Sequence, residues 1–365
     1  MNAPPILRSK RITSIDALRT FVLLGVLLTH LWAGFNVEDA YQVNSVADMA
    51  IDGFIARFLT FRCAMIFNVL FGVSFYLMLR NPANSGGKFV WRCFLLFILG
   101  ILDKFLYWPD ALMWYGLCGM FLVLFRRLSV SKLILSIILF YLLIILLCQH
   151  AIGSYFLSPY ISDFDRYRPN VTFRDAWMWW PSSVLTYLRH MLDNGVFYTF
   201  ANFLIGYTIG KAGLVDKMDR AVNLRIVLIS LMVYVPALFI PYSPSVSFIW
   251  RLPVTLSGAA FYSVLFVYLY NRRPFHRFLS WFEPYGRLGL TNYVMQGVVG
   301  VILLCHCGVG GMHLHLATLV TFALLFFLLQ AFFSWCWLKK FTYGPFEYLW
   351  RCATERKWIP FIKSY

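Results

Sequence analysis

Ten stretches of this sequence stay apolar for long enough to cross about 30 Å of hydrocarbon as helices. They cover residues 15–35, 60–79, 89–107, 111–125, 133–149, 196–212, 224–241, 250–270, 287–305 and 316–338. A strand of a membrane barrel alternates in polarity, and these runs do not, so they exclude that architecture. A soluble core cannot absorb them either. Of the 365 residues, 60% are hydrophobic and 13% charged, against roughly a quarter charged in soluble domains. The fold expected is an all-α, polytopic membrane helix bundle of about ten transmembrane helices. It is read as one domain over 1–365, with five spans in 1–149, a loop at 150–195 and the remaining spans in 196–365.

The formal net charge of +16 raises the question of nucleic acid, and its placement answers it. With the N-terminus in the cytoplasm, the inner segments hold 24 of the 32 basic residues and net +18, and the outer segments net −2. Arg80, Lys88, Arg126, Arg127, Lys217, Arg272, Arg273, Lys339 and Lys340 are among the inner group. That is the positive-inside bias, with both termini cytoplasmic. No nucleic-acid partner is expected; anionic lipid is the natural counterpart of the excess charge. The first apolar run is of span length and lacks a small-residue cleavage site, so it is expected to remain as the first transmembrane helix. Cys63, Cys93, Cys118 and Cys336 fall inside spans and read as packing rather than as a disulfide framework.

Two segments belong to the interface. Residues 150–195 form the largest extramembrane stretch, and Trp177, Trp179 and Trp180 beside Pro181 suit the headgroup level. They read as an anchor or as a rim that receives substrate. Ala47–Leu59 is amphipathic and is expected to lie on the outer surface.

Ionisable side chains in lipid are costly and mark function or specific pairing. In SIDALRTFVLLGVLLTH, Ser14 is the expected N-cap, with Asp16 in the first turn. Arg19 and His30 are eleven residues apart, which puts both on one helix face with a rise of about 16 Å. A guanidinium there suits an anionic cofactor, and an imidazole suits proton exchange with a nucleophile. Snorkelling of Arg19 to headgroups and a carbonyl partner for His30 are the plainer alternative. Asp103, near the far end of span 3, reaches the depth of His30 and would orient its imidazole; pairing with Lys104 or Arg62 competes with that role. Asn292 and Gln296 in PYGRLGLTNYVMQGVVG share a helix face. They either glue helices together or meet the amide-rich arm of coenzyme A. Arg287 stands at the entrance of that helix, placed for a phosphate. Cys305, His306, Cys307, His313 and His315 match no zinc spacing, and no metal is expected.

The stretches RITSIDALRTFVLLGVLLTH, FNVLFGVSFYLMLR, WRCFLLFILGILDKFLYWPDALMWYGLCGMFLVLFRR, PYGRLGLTNYVMQ and GPFEYLWR together resemble the YeiB-like membrane proteins that carry the DUF418 domain. That group is distantly similar to the transmembrane acyltransferases, which include the acyltransferase-3 glycan acylases and the heparan N-acetyltransferase. In acyltransferase-3 proteins an Arg early in span 1 and a His eleven residues later are required, and Arg19 and His30 fall on that pattern. YeiB-like proteins usually have Asn where this chain has His30, His–Gly where it has Asp103–Lys104, and Gly where it has Thr20. The resemblance implies a bacterial inner-membrane acyltransferase. Acetyl-CoA or another acyl-CoA would be held by Arg19, Arg287, Asn292 and Gln296, with His30 and Asp103 catalytic. The acceptor would be a glycan, lipid or peptide at the outer side, and a homo-oligomer is compatible with this. A proton-coupled permease and a non-catalytic scaffold are the rival readings.

Overall fold

The computed structural model describes residues 12–32, 41–81, 84–103, 111–149, 194–240, 248–304 and 314–363. Each of the ten apolar stretches is a helix within these limits. They are α1 (Thr13–Trp32), α3 (Arg62–Leu79), α4 (Gly86–Asp103), α5 (Leu112–Leu122), α6 (Val130–Gln149), α7 (Asn194–Lys211), α9 (Leu224–Ala237), α10 (Phe248–Tyr270), α13 (Gly289–Leu304) and α14 (Leu316–Lys340). Between them lie short amphipathic helices: α2 (Val46–Phe54), α8 (Leu214–Ala221), α11 (Arg273–Leu279), α12 (Glu283–Arg287) and α15 (Pro345–Glu355). Strand content among the described residues is one two-residue parallel pair, β1 (Tyr41–Gln42) with β2 (Leu314–His315), and an isolated bridge from Phe341 to Ile362.

By length and composition, four segments suffice to cross a membrane: α1, Val46–Leu79, Leu252–Tyr270 of α10, and α14. The outward faces agree with a lipid environment. Leu135, Leu139, Leu142 and Leu146 on α6, Met232 and Val233 on α9, and Leu325, Leu328, Leu329 and Phe332 on α14 are all exposed. In water such a continuous apolar surface would drive aggregation.

α1 is the enclosed helix at the centre, with Leu18, Val22, Leu23, Val26 and Leu27 buried in the main core. Ser14 sits within the helix rather than capping it, because the helix begins at Thr13; it is buried, and its hydroxyl has no partner among the described residues. The closest crossing joins α3 to α7. A Cβ on Gly72 would collide with the Phe203 carbonyl, and one on Gly206 with the Val69 carbonyl. Small residues let membrane helices touch backbone to backbone, where dispersion does the work that hydrophobicity does in water.

One end of the bundle holds the start of α1, α12 and α15. The other holds the end of α1, α2 and the start of α14. There Trp32 donates its indole N–H to Asp52 at 2.7 Å. Asp48 of α2 accepts from the Ala317 amide at 2.9 Å and pairs with His315 Nδ1 at 3.1 Å. The amphipathic segment expected at 47–59 is α2 followed by one wide turn, Ile55–Leu59. Trp177, Trp179, Trp180, Cys305, His306, Cys307 and His313 lie outside the described residues. Cys63, Cys93 and Cys118 are buried as packing predicts, but Cys336 faces outward from α14.

Candidate functional site

The first cluster forms where α12 crosses the opening turns of α1. Gly286 touches the Asp16 carbonyl so closely that a Cβ there would overlap it. Thr20 donates its hydroxyl to the Phe282 carbonyl at 2.7 Å. These contacts bring the Arg287 and Arg19 positions to one end of the bundle, both half-buried. Arg19 donates to Asp16 Oδ1 at 2.9 Å and to Ser74 Oγ on α3 at 2.5 Å. Asp16 is buried, so this pair is shielded on one side and open on the guanidinium side. Tyr270 closes the same end: its hydroxyl donates to Glu283 Oε1 at 2.5 Å and accepts from the Thr13 hydroxyl at 2.8 Å.

His30 stands at the opposite end of the same face, half-buried. Its ring lies edge-on to Tyr293 of α13, with centroids 6.2 Å apart, and Tyr293 in turn stacks on Phe67 of α3 at 6.3 Å. Asp103 closes α4 and is buried. Arg62 makes no ion pair among the described residues, so pairing of Asp103 with Arg62 is not seen. Between Arg19 and His30 the intervening positions Leu23 and Val26 are buried in the main core, together with Leu70 and Phe67 of α3. Apolar side chains therefore fill the space that separates the two polar ends.

Asn292 and Gln296 meet in one network around Tyr285, which is fully buried. Asn292 donates to the Tyr285 carbonyl at 3.0 Å and to Ser334 Oγ at 3.1 Å. Gln296 donates to the Tyr285 hydroxyl at 2.7 Å and to the Leu23 carbonyl at 3.4 Å. Tyr285 donates onward to Gln330 Oε1 at 3.0 Å, and Gln330 donates back to the Asn292 carbonyl at 3.1 Å. The ring ties α12, α13, α14 and α1 together, which is the helix-gluing arrangement. Of its side-chain groups, Gln296 Oε1 is left without a partner among the described residues.

Glu347 is the residue that sequence reasoning missed. It lies on α15 and caps the start of α13, accepting from the Leu290 amide at 2.8 Å, the Thr291 amide at 3.0 Å and the Thr291 hydroxyl. A carboxylate at a helix N-terminus meets both free N–H groups and the positive end of the dipole. Gly344 leaves room beside it: a Cβ there would meet the Glu347 carboxylate and approach Thr291 Oγ1 to 2.7 Å, so the cap would have to shift. Burial pushes the Glu347 carboxyl above its ordinary range, against the downward pull of its donors. The signal in the sequence was GPFEYLWR itself, an acid in an otherwise aromatic motif.

Residues 209–357 match the family described as "Protein of unknown function (DUF418)", and both C-terminal motifs, PYGRLGLTNYVMQ and GPFEYLWR, lie inside the matched segment. The chain is similar over nearly its whole length to "Uncharacterized protein YxaH" of Bacillus subtilis (strain 168), at 28% identity over 99% of this chain and 98% of that protein. It is 26% identical to "Uncharacterized 39.9 kDa protein in amylase 3'region" of Bacillus acidopullulyticus, covering 98% of each. It is 25% identical to "Uncharacterized protein YeiB" of Escherichia coli (strain K12), covering 97% of this chain and 99% of that one. The resemblance to YeiB-like proteins bearing DUF418 therefore holds. The capping of α13 by α15 gives a physical reason for its two C-terminal motifs to occur together.

Proposed function

We propose that this protein is a membrane acyltransferase, moving an acyl group, acetyl in the first instance, from cytoplasmic acyl-CoA to a hydroxyl or amine of an outer-side acceptor. In this reading all ten apolar helices cross a bacterial inner membrane and both termini are cytoplasmic. The supporting observation is the geometry of α1: a guanidinium at one end of a single helix face and an imidazole at the other. Arg287 reaches the Arg19 end through the contact of Gly286 with Asp16.

The phosphates of CoA would replace part of the Arg19–Asp16 contact, and Asp16 would keep the guanidinium oriented. The pantetheine arm would enter by displacing Leu23 and Val26. An imidazole nitrogen of His30 takes the proton of the acceptor, whose oxygen or nitrogen bonds to the thioester carbonyl carbon. The C–S bond breaks, and the CoA thiolate recovers that proton as it leaves. Asp103 would orient the imidazole. Asn292 and Gln296, whose amide donors are engaged within the protein, would serve by holding α12 to α14 rigid under the thioester.

A non-catalytic scaffold is the second reading, and the closed ring around Tyr285 favours it. One experiment separates these from a permease. Purified full-length protein is incubated with labelled acetyl-CoA, as wild type, His30→Ala and Arg19→Ala. Transfer or hydrolysis lost in His30→Ala with CoA binding retained, together with weakened CoA binding in Arg19→Ala, supports the transferase. Failure of the wild type to bind or consume acetyl-CoA ends that reading. Proton-coupled solute uptake without CoA binding would replace it with transport.

A further inference from the structure

Arg62 opens α3 at the end of the bundle where α1 finishes, and it is 2% exposed. Its Nη1 donates to the Thr60 carbonyl at 2.9 Å, and its buried Nε has no partner among the described residues. No carboxylate pairs with it among the described residues. Among the described residues this buried cation meets one neutral carbonyl and no opposite charge that would return its desolvation cost. The surrounding backbone adds to the positive potential. α3 starts here without a side-chain cap, so the positive end of its dipole lies at Arg62 itself. The preceding residue, Phe61, is held at φ 65°, a left-handed conformation that a bulky side chain adopts only at a cost.

Tyr234 of α9 and the Arg62 stem meet across Gly258 of α10. The Tyr262 hydroxyl is paired with that of Tyr234 of α9 at 2.9 Å. Gly258 makes the space: a Cβ there would crowd the Tyr234 ring at 2.9 Å and the Arg62 stem at 3.1 Å. Arg57, one wide turn earlier, donates to the Leu238 carbonyl at the C-terminus of α9.

We infer that Arg62, the uncapped start of α3 and the hydroxyls of Tyr234 and Tyr262 form a binding site for an oxyanion, a phosphate or carboxylate group. Guanidinium forks and phenol hydroxyls match the geometry of such groups. The site is at the opposite end of α1 from Arg19, and it does not depend on the transferase reading. The anion comes either from an anionic lipid headgroup or from a soluble ligand.

The test uses the purified full-length chain in neutral detergent without added oxyanions. Thermal unfolding is followed while sodium phosphate or sodium acetate is titrated against sodium chloride at constant ionic strength. A parallel series replaces phosphatidylcholine with phosphatidylglycerol in mixed micelles. A saturable rise in Tm with phosphate or acetate points to a soluble ligand, and a rise confined to phosphatidylglycerol points to a lipid; either supports the site. Arg62→Lys should bind roughly tenfold or more weakly, having lost the fork. Arg62→Met should abolish the response while unfolding at a higher temperature than the ligand-free wild type. No wild-type response to any of the three anions overturns the inference. So does an unchanged response in Arg62→Met. A lower Tm for Arg62→Met without anion does the same, since it would mean that the guanidinium already has its counter-charge within the chain.

Discussion

At the scale of single residues, the polar groups divide by whether their partners are local. Asp16 and Arg19 are one helical turn apart, and their ion pair follows from i, i+3 spacing alone. Glu347 instead reaches Thr291 across 56 positions, which no local rule foretells. Its raised carboxyl has a definite pH signature. Between the ordinary glutamate value, about 4.3, and its higher folded value, the native state binds a proton that the unfolded chain has released. Stability contributed by this group is therefore full below that window and falls as pH rises through it. Glu347→Gln keeps an acceptor for the Leu290 and Thr291 amides and removes the titration, so its Tm should lose this pH slope. Glu347→Ala removes the cap and should cost about 1 kcal/mol or somewhat more. Thermal scans of the three proteins across mildly acidic to neutral pH check both statements. Tyr285→Phe is the harsher change. It strands the amides of Gln330 and Gln296 in a buried site, at a cost of roughly 1–3 kcal/mol for each group left unbonded. Tm in detergent should fall well below that of the wild type.

At the scale of elements, helix existence was legible and helix partnership was not. Runs of apolar residues of span length predict helices because unpaired backbone groups cannot be left in hydrocarbon, and all ten runs are helical. The amphipathic 47–59 segment was legible for the same reason, from its mixed polarity. The choice of α7 as the neighbour of α3 was hidden, since Gly72 and Gly206 look like any glycines in apolar sequence until their opposing carbonyls are known. Of the site, the shared face of Arg19 and His30 could be read from spacing. The Tyr285 ring could not, because it closes through α14 and its Gln330 and Ser334. The α3–α7 crossing can be tested against a glycine with room to spare. Gly206→Val should push the two backbones apart and abolish a monodisperse peak in size exclusion. Gly87→Ala, where a Cβ meets nothing within 4 Å, should be neutral or stabilising by up to about 1 kcal/mol.

At the scale of the whole molecule, α14 is the ruler. Its 25 residues span about 37 Å at 1.5 Å each, more than the hydrocarbon thickness. The Asp48 contact with Ala317 fixes α2 at its start. Lys339 and Lys340 end it, and α15 follows at once, docked on α4 through the Lys88–Glu355 ion pair and the Arg92–Trp350 stack. α2 and α15 therefore stand on opposite sides of any bilayer that α14 crosses. The proposed topology places the basic finish of α14, Lys339 and Lys340, at the cytoplasmic side and α2 with Asp48 and Asp52 at the outer side. Val46 on α2 and Trp358 after α15 are each 79% exposed, and both are suitable for labelling. Val46→Cys should react with a membrane-impermeant maleimide in intact cells after the outer barrier is opened. Trp358→Cys should react only once the inner membrane is permeabilised. Both variants are made with Cys148, Cys305 and Cys307 replaced by Ser, and that background is the control, since Cys63, Cys93, Cys118 and Cys352 are buried and Cys336 lies on the apolar face of α14. Labelling of both variants from outside would mean that α14 does not cross, and the reading of Arg19 as a cytoplasmic entrance would fall with it.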